Sequence, residues 1–291
     1  MKHRVGTKLI RATACFLGLL SGAAPPAVAA APENVVSMNV CTDQMALLIA
    51  EDGQLHSVSE LATDPTVSAL AKESGRYRIN HGLAEEVYLM KPDLVLAGTY
   101  STSATVSLLR QLGISVEEFS LASSFDDVRA DFRRMGKLLG REQRAEELIG
   151  DLDRELERLA SNPVPRATIA LYYANGYTAG AGTLANAAVE AAGLDNLGAK
   201  LGLQGTARLP LEELVMANPD LITRGERQYE APALAEQNLA HPAFTTIAGG
   251  GRAVDLPSVY TVCGGPFTLQ AVRILQQAAL AAGEAAGEGP K

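Results

Sequence analysis

Two hydrophobic periods alternate along this chain. Short unbroken apolar runs, of the kind buried on both faces in a parallel sheet, are followed by stretches in which apolar residues return every three or four positions, as on one face of a helix. "NVVSMN", from Asn34, predicts a strand, and the segment from about Thr42 to Glu51 a helix. Further on, Ala84, Val87, Tyr88 and Lys91 share one helical face, with Glu85 and Glu86 in the first turn. Acidic groups there complement the positive end of the helix dipole. Pro92 disfavours helical backbone in the residue before it, so this helix is expected to stop near Met90. "DLVLAG" then reads as a buried parallel strand bounded by Gly98, followed by a helix over Ala104–Leu112 and the strand "ISVEEF".

The same plan is then written again. "EEVYLMKPDLV" (Glu85–Val95) returns as "EELVMANPDLI" (Glu212–Ile222), and Glu85 and Glu212 each stand seven residues before their proline. In the second copy "TIALYYA" leads to a helix near Leu184–Ala192, and "APALAEQNL" and the strand "RAVDLP" follow the repeated unit. Strands alternating with helices in this way predict an α/β fold of two lobes, each a mostly parallel sheet flanked by helices. Between the copies, Ala145, Leu148, Ile149, Leu152, Leu156 and Leu159 make one apolar stripe on an otherwise charged segment that ends before Pro163 and Pro165. A helix over about 142–160 would be roughly 28 Å long, enough to join the lobes stiffly and limit their hinging. The expected organisation is a leader over 1–29, an N-terminal lobe over 30–124, a helical segment with the spanning helix over 125–162, a C-terminal lobe over 163–283 and a flexible tail over 284–291.

The first residues carry a different pattern. Lys2, Arg4, Lys8 and Arg11 precede the apolar run "ATACFLGLLSGAA" and the small-residue stretch ending Ala27-Val28-Ala29, the plan of a cleaved secretory signal peptide. Pro25 and Pro26 break the run too early for a comfortable bilayer span. Cys15 precedes most of that run, which argues against lipidation there and for a soluble exported protein. Removing the leader takes away four of the 25 Lys and Arg and none of the 33 Asp and Glu, leaving a net charge of −12. With no basic stripe, such a surface repels nucleic acid and anionic lipid.

In open α/β sheets ligands bind outside the carboxyl ends of the strands, and two facing lobes would put both sets of strand-end loops into one cleft. The first lobe offers Asn39, Cys41 and Thr42 in "NVCT", Tyr100 in "GTY" and Tyr77 in "GRYR"; the second offers Tyr177 in "ANGY" with Tyr173 at its edge, Arg224 in "TRGER", and Tyr260 and Cys263 in "YTVCGG". Clustered tyrosines, with apolar bodies and polar tips, suit a large ligand that is partly apolar.

Cys41 and Cys263 are the two cysteines left after the leader. They are compatible with a disulfide tying the lobes, with soft metal ligation, or with two small buried residues. No His, Asp or Glu stands at ligand spacing beside either, which weighs against metal. His56, His81 and His241 are isolated, "GAGTL" at Gly180–Leu184 is an incomplete nucleotide-binding glycine loop better read as a turn into a helix, and no serine stands on a nucleophile elbow. The remaining enzymatic reading is Cys41 as a nucleophile with its thiol pKa lowered at a helix N-terminus.

The leader, the two lobes, the spanning helix and the duplicated "EE…PDL" unit together resemble the rigid-helix class of periplasmic binding proteins, over essentially the whole mature chain. That class serves ABC importers of iron–siderophores, haem and cobalamin. The resemblance implies a periplasmic, non-catalytic, monomeric protein with no resident cofactor, a metal chelate as its ligand, and a permease dimer with its ATPase as its partner. It also implies that Glu85 and Glu212 dock onto permease arginines, one from each lobe. Tyr260 before "CGGPF" matches members that bind cobalamin, although this chain has no tryptophan. Tyr77 stands about one residue out of register from the tyrosine of haem-binding members, and Arg76, Arg78, Arg224 and Arg227 are available for anionic siderophores. The resemblance leaves the chelate open.

Overall fold

The computed structural model of the protein describes residues 30–223 and 233–287. Its first lobe runs β1 (Val35–Ser37), α1 (Val40–Ile49), β2 (Leu55–Ser59), α2 (Ala71–Ser74), β3 (Arg78–Asn80), α3 (Ala84–Leu89), β4 (Leu94–Gly98), α4 (Ser103–Gln111) and β5 (Val116–Phe119). The strands form one parallel sheet in the order β3-β2-β1-β4-β5, so the winding reverses between β1 and β4. All five residues of β4 are buried, as its unbroken apolar run predicts. α1 starts at Val40 rather than near Thr42 because the Asn39 side chain caps it, accepting the Cys41 N–H at 3.0 Å.

Two helices then carry the chain away from this sheet. α5 (Phe125–Leu139) is capped by Ser124, whose hydroxyl accepts the Asp127 N–H at 3.1 Å, and stops at Gly140 in the left-handed region (φ 66°). α6 (Glu142–Ala160) has the bounds its apolar stripe predicts, and buries Ala145, Leu148, Ile149, Leu152 and Leu159. The turn between them is tight. A Cβ on Gly136 would lie 2.6 Å from the Ala145 Cβ, so only glycine lets the helices fold back this closely.

The second lobe contains β6 (Thr168–Ala170), β7 (Tyr177–Ala179), α7 (Leu184–Ala191), β8 (Asp195–Asn196), α8 (Leu197–Lys200), β9 (Thr206–Arg208), α9 (Leu211–Ala217), β10 (Leu221–Thr223), α10 (Gln237–Ala240), α11 (Pro242–Ile247), β11 (Ala253–Val254) and α12 (Thr268–Gly287). Its parallel sheet has the order β11-β10-β6-β8, reversing between β6 and β10, while β7 and β9 form a separate antiparallel pair. "GAGTL" is a turn into a helix: Gly182 has φ +72° and the Thr183 hydroxyl caps α7. α12 continues through Gly287, so residues 284–287, expected in a flexible tail, are helical.

α5 packs on α1, and α6 packs on α5 at one side and on α7 and α12 at the other. One cluster of buried side chains therefore runs without a break from Val35 and Leu96 through Phe132 and Leu148 to Ile169 and Val272. Polar ties reinforce it. Arg273 of α12 donates to Glu155 of α6 at 2.6 Å, and the Gln276 amide donates to the Leu159 carbonyl at 3.1 Å. The arginines at 158 and 273 hold the Glu155 carboxyl down at about 2.

The duplicated unit has a backbone purpose in both lobes. Asp93, just before β4, accepts the backbone N–H groups of Glu33 and Asn34 beside the start of β1. Asp220, just before β10, likewise accepts the N–H of Thr168 at the start of β6, at 2.7 Å. The residue ahead of each proline is left-handed, Lys91 at φ 51° and Asn218 at φ 41°.

Candidate functional site

At the winding reversal of the first lobe, the carboxyl ends of β1 and β4 present Asn39 and the Gly98–Tyr100 turn side by side. Gly98 lies so close to Asn39 that an added Cβ would stand 2.7 Å from its Nδ2. Tyr100 is 81% exposed. With Asn80, His81, Ser59 and Glu60 from the ends of β2 and β3, these two residues line a recess of about 210 Å3. Beneath it lies a buried polar layer. The hydroxyls of Ser37 and Thr42 are 2.8 Å apart, and Asn80 Nδ2 donates to the Ser37 carbonyl at 2.8 Å and to the Ser57 hydroxyl at 2.9 Å. Asp43 accepts the Ser59 N–H at 3.1 Å and the Ser59 hydroxyl, yet burial pushes its carboxyl up to about 6.

The winding reversal of the second lobe is built differently. Tyr172 follows β6 and is almost fully buried, stacked on Phe244 with ring centroids 5.6 Å apart. Its N–H donates to the Thr223 hydroxyl at 2.9 Å, tying the ends of β6 and β10 together. Tyr173 is half-buried, and loss of water around its phenol pushes it up to about 12. Tyr177, at the start of β7, is partly exposed with the Arg208 guanidinium 5.5 Å from its ring centre. Tyr172, Asn175, Arg208 and Asn238 line a second recess of about 260 Å3.

One covalent bond ties the first of these regions to the segment between β11 and α12. Cys41, in the first turn of α1, is disulfide-bonded to Cys263 across 222 residues of sequence, with Cα atoms 5.1 Å apart. Gly264, the next residue, sits against Val128 of α5 and Ala122, where a Cβ would come within 2.5 Å of a Val128 methyl. The Cys263 turn is thereby seated on the first lobe. Tyr260, three residues earlier, is half-buried and packs against the continuous core.

Several expected residues take other places. Thr42 has no exposure; its hydroxyl donates to the Asn39 carbonyl at 2.9 Å, so it supports the strand-end loop from within. Tyr77 immediately precedes β3 and so lies at that strand's amino end, where its hydroxyl accepts from Arg76 at 3.0 Å. The carboxyl end of β3 brings Asn80 and His81 instead. His81 is not isolated: its Nδ1 lies 3.4 Å from Glu86 and its Nε2 3.9 Å from Glu60. Cys41 in a disulfide has no thiol to act as a nucleophile and no thiolate to bind a metal. Arg224 and Arg227 lie outside the described residues. Among the described residues, no group of three or more His, Cys, Asp and Glu side chains is arranged to hold a metal ion, and no helix is long and apolar enough to cross a membrane. The signal that would have found the missed residues is the set of polar positions in two short strands, Ser57 within and Ser59 at the end of β2 and Asn80 at the end of β3.

Glu85 and Glu212 open α3 and α9, and both are exposed. Neither makes a side-chain hydrogen bond or ion pair with a described residue, whereas the adjacent Glu86 accepts the His81 N–H at 2.8 Å.

Comparison with known proteins covers both lobes. A family model described as periplasmic binding protein matches residues 35–255. The chain is 31% identical over 201 residues to a cobalamin-binding protein of Halobacterium salinarum, an alignment covering 67% of this chain and 54% of that protein. It thus spans about half the length of that curated relative. It is 27% identical over 129 residues to an uncharacterized ABC transporter substrate-binding lipoprotein of Bacillus subtilis, covering 43% of this chain and 40% of that one. Among solved structures, a periplasmic heme-binding protein from Roseiflexus sp. RS-1 superposes with a TM-score of 0.72 at 22% identity, covering 86% of this chain and 98% of its own. At that identity the match speaks for the fold alone.

Proposed function

The chain belongs to the periplasmic binding protein family, and from that premise we propose that it is the solute-binding component of an ABC importer, capturing a metal chelate between its lobes and delivering it to a membrane permease with its ATPase. The observation that carries this reading is a winding reversal in each of the two sheets, with the Cys41–Cys263 disulfide tying the first reversal's loop and helix to the segment that follows β11 of the second lobe. Ligands of open α/β sheets bind at such reversals. Residues 1–29 would direct export to the periplasm as a cleaved signal peptide, and the mature protein would work as a monomer.

The ligand-facing set in this reading is Asn39, Tyr100 and His81 from the first lobe, and Tyr173, Tyr177 and Tyr260 from the second. A partly apolar, polar-edged chelate of the iron–siderophore, haem or cobalamin type fits such a set, because tyrosine offers a flat apolar face and a polar tip. The Halobacterium relative's name, cobalamin-binding protein, supports testing cobalamin first. Glu85 and Glu212, exposed and without partners among the described residues, would each meet an arginine of one permease subunit. The residues serve binding, and no reaction is assigned to them.

The test uses the chain's own chromophores. With eight tyrosines and no tryptophan, emission of the mature protein reports on tyrosine alone. Titration with cyanocobalamin, haemin and a panel of ferric siderophores should give saturable quenching at sub-micromolar concentration with one of them, weakened by Tyr100→Ala or Tyr260→Ala. Failure of all of them to bind would remove the metal-chelate reading.

A further inference from the structure

We infer that Leu89 and Met216 form, beside Glu85 and Glu212, a matched pair of apolar docking contacts for the two subunits of the membrane permease, an inference that rests on the importer reading above. The two side chains occupy the same position of the duplicated unit, four residues after the first glutamate and three before the proline. They are exposed to nearly the same degree, Leu89 76% and Met216 77%. A single exposed leucine or methionine is ordinary. Two at one register position, on different lobes, both this open, are not explained by the needs of either fold. α3 and α9 bury their opposite faces, through Ala84 and Val87 in one and Leu214 in the other.

The local arrangement says what kind of surface fits. Residues four apart on a helix are neighbours, so each apolar side chain shares a face with a carboxylate that has no partner among the described residues. The complementary surface carries a basic group beside an apolar hollow, as an arginine does when its stem lies along apolar residues. It must also carry this contact twice, once for each lobe, which a two-fold pair of identical permease subunits does. Charge then guides encounter and register, while the apolar pair supplies contact that salt does not screen.

The experiment compares the mature protein with Leu89→Ser/Met216→Ser and with Glu85→Gln/Glu212→Gln. Binding is measured to the same organism's permease–ATPase complexes for cobalamin, haem and ferric siderophores, each in lipid nanodiscs, at about 0.1 M and about 0.5 M NaCl, where screening lengths are about 10 and 4 Å. Titration with the chelate that quenches the unaltered protein, and melting temperature, report that the variants fold. The serine pair is expected to lose about tenfold or more in affinity at both salt concentrations, and the glutamine pair chiefly at the lower one. A serine pair that binds like the unaltered protein, with the glutamine pair weakened, overturns the inference and leaves the importer reading standing. An unaltered protein that binds none of these complexes overturns both. Self-association or binding to empty liposomes that the serine pair abolishes would assign these side chains to a second copy or to lipid, and would also overturn the inference.

Discussion

The Asp93 carboxylate accepts the backbone N–H of Asn34 at 2.9 Å, fastening the entry of β4 to that of β1. Asp220 repeats the contact on Thr168 in the other lobe. Part of the duplicated unit is therefore a fold device, and part of it, the glutamates, is surface. The two parts are separable. Asp93→Ala and Asp220→Ala should each lower the free energy of unfolding by about 1 kcal/mol, the worth of such hydrogen bonds near the surface. Glu85→Ala and Glu212→Ala should each cost only about 0.3 kcal/mol, the low end of what an exposed first-turn carboxylate gains from the helix dipole. Equal destabilisation by the glutamate changes would return the whole unit to folding.

The Cys41–Cys263 bond closes a loop spanning most of the mature chain. Reduction, or Cys41→Ser with Cys263→Ser, should cost about 2–5 kcal/mol in stability, because the unfolded chain regains the freedom the bond removes. The folded protein should persist, since a continuous core through α5, α6 and α12 still joins the lobes. The expected record is a lowered but cooperative denaturation curve and unchanged far-ultraviolet circular dichroism. Loss of cooperativity would mean that the bond, rather than the core, unites the lobes.

Asp43 gives stability a pH dependence of unusual sign. Its carboxyl is raised from 3.8 to about 6, so between those values the folded protein holds a proton that the unfolded chain releases. The contribution of Asp43 to stability is then greatest below the unfolded value, falls as pH rises toward about 6, and is level beyond it. Asp43→Asn carries no such proton and should remove up to roughly 3 kcal/mol of that fall. A smaller slope should remain, because burial also pushes Asp131 up to about 6. Urea titrations at several pH values would check this, and an unchanged slope in the variant would disprove it.

What was legible in the sequence was whatever a single period or a single residue type decides. α6 was readable because its apolar stripe is unbroken, and β4 because all its residues are buried and apolar. β2 and β3 were not, since Asn80 and Ser57 bond each other across the sheet and Ser59 bonds Asp43 of α1, and polar residues at these buried positions interrupt the apolar pattern. That omission also misplaced Tyr77, which looks like a strand-end residue only if the strand after it goes unseen. Thr42 was expected in the ligand cleft because it belongs to the strand-end loop with Asn39 and Cys41, but the first turn of α1 rotates it inward. Pairing of cysteines 222 positions apart is a fact of tertiary structure that spacing cannot supply.

Gly98 offers the sharpest test of the candidate site's construction. An alanine there would place its Cβ 2.7 Å from Asn39 Nδ2 and 2.8 Å from its Cγ, closer than such atoms pack. Asn39 would have to swing away, giving up the Cys41 N–H that it caps. Gly98→Ala should therefore cost about 1–2 kcal/mol, the worth of an asparagine N-cap with some crowding added. Asn39→Ala alone should cost a similar amount by losing the cap directly. With both changes together the obstacle is already gone, so the second substitution should add little, and the double variant should be far less destabilised than the sum of the singles. Additive costs would mean that Gly98 is needed for some reason other than Asn39. Chelate binding supplies the second readout: both single variants should weaken it together, since each removes the same side chain from the same strand-end loop.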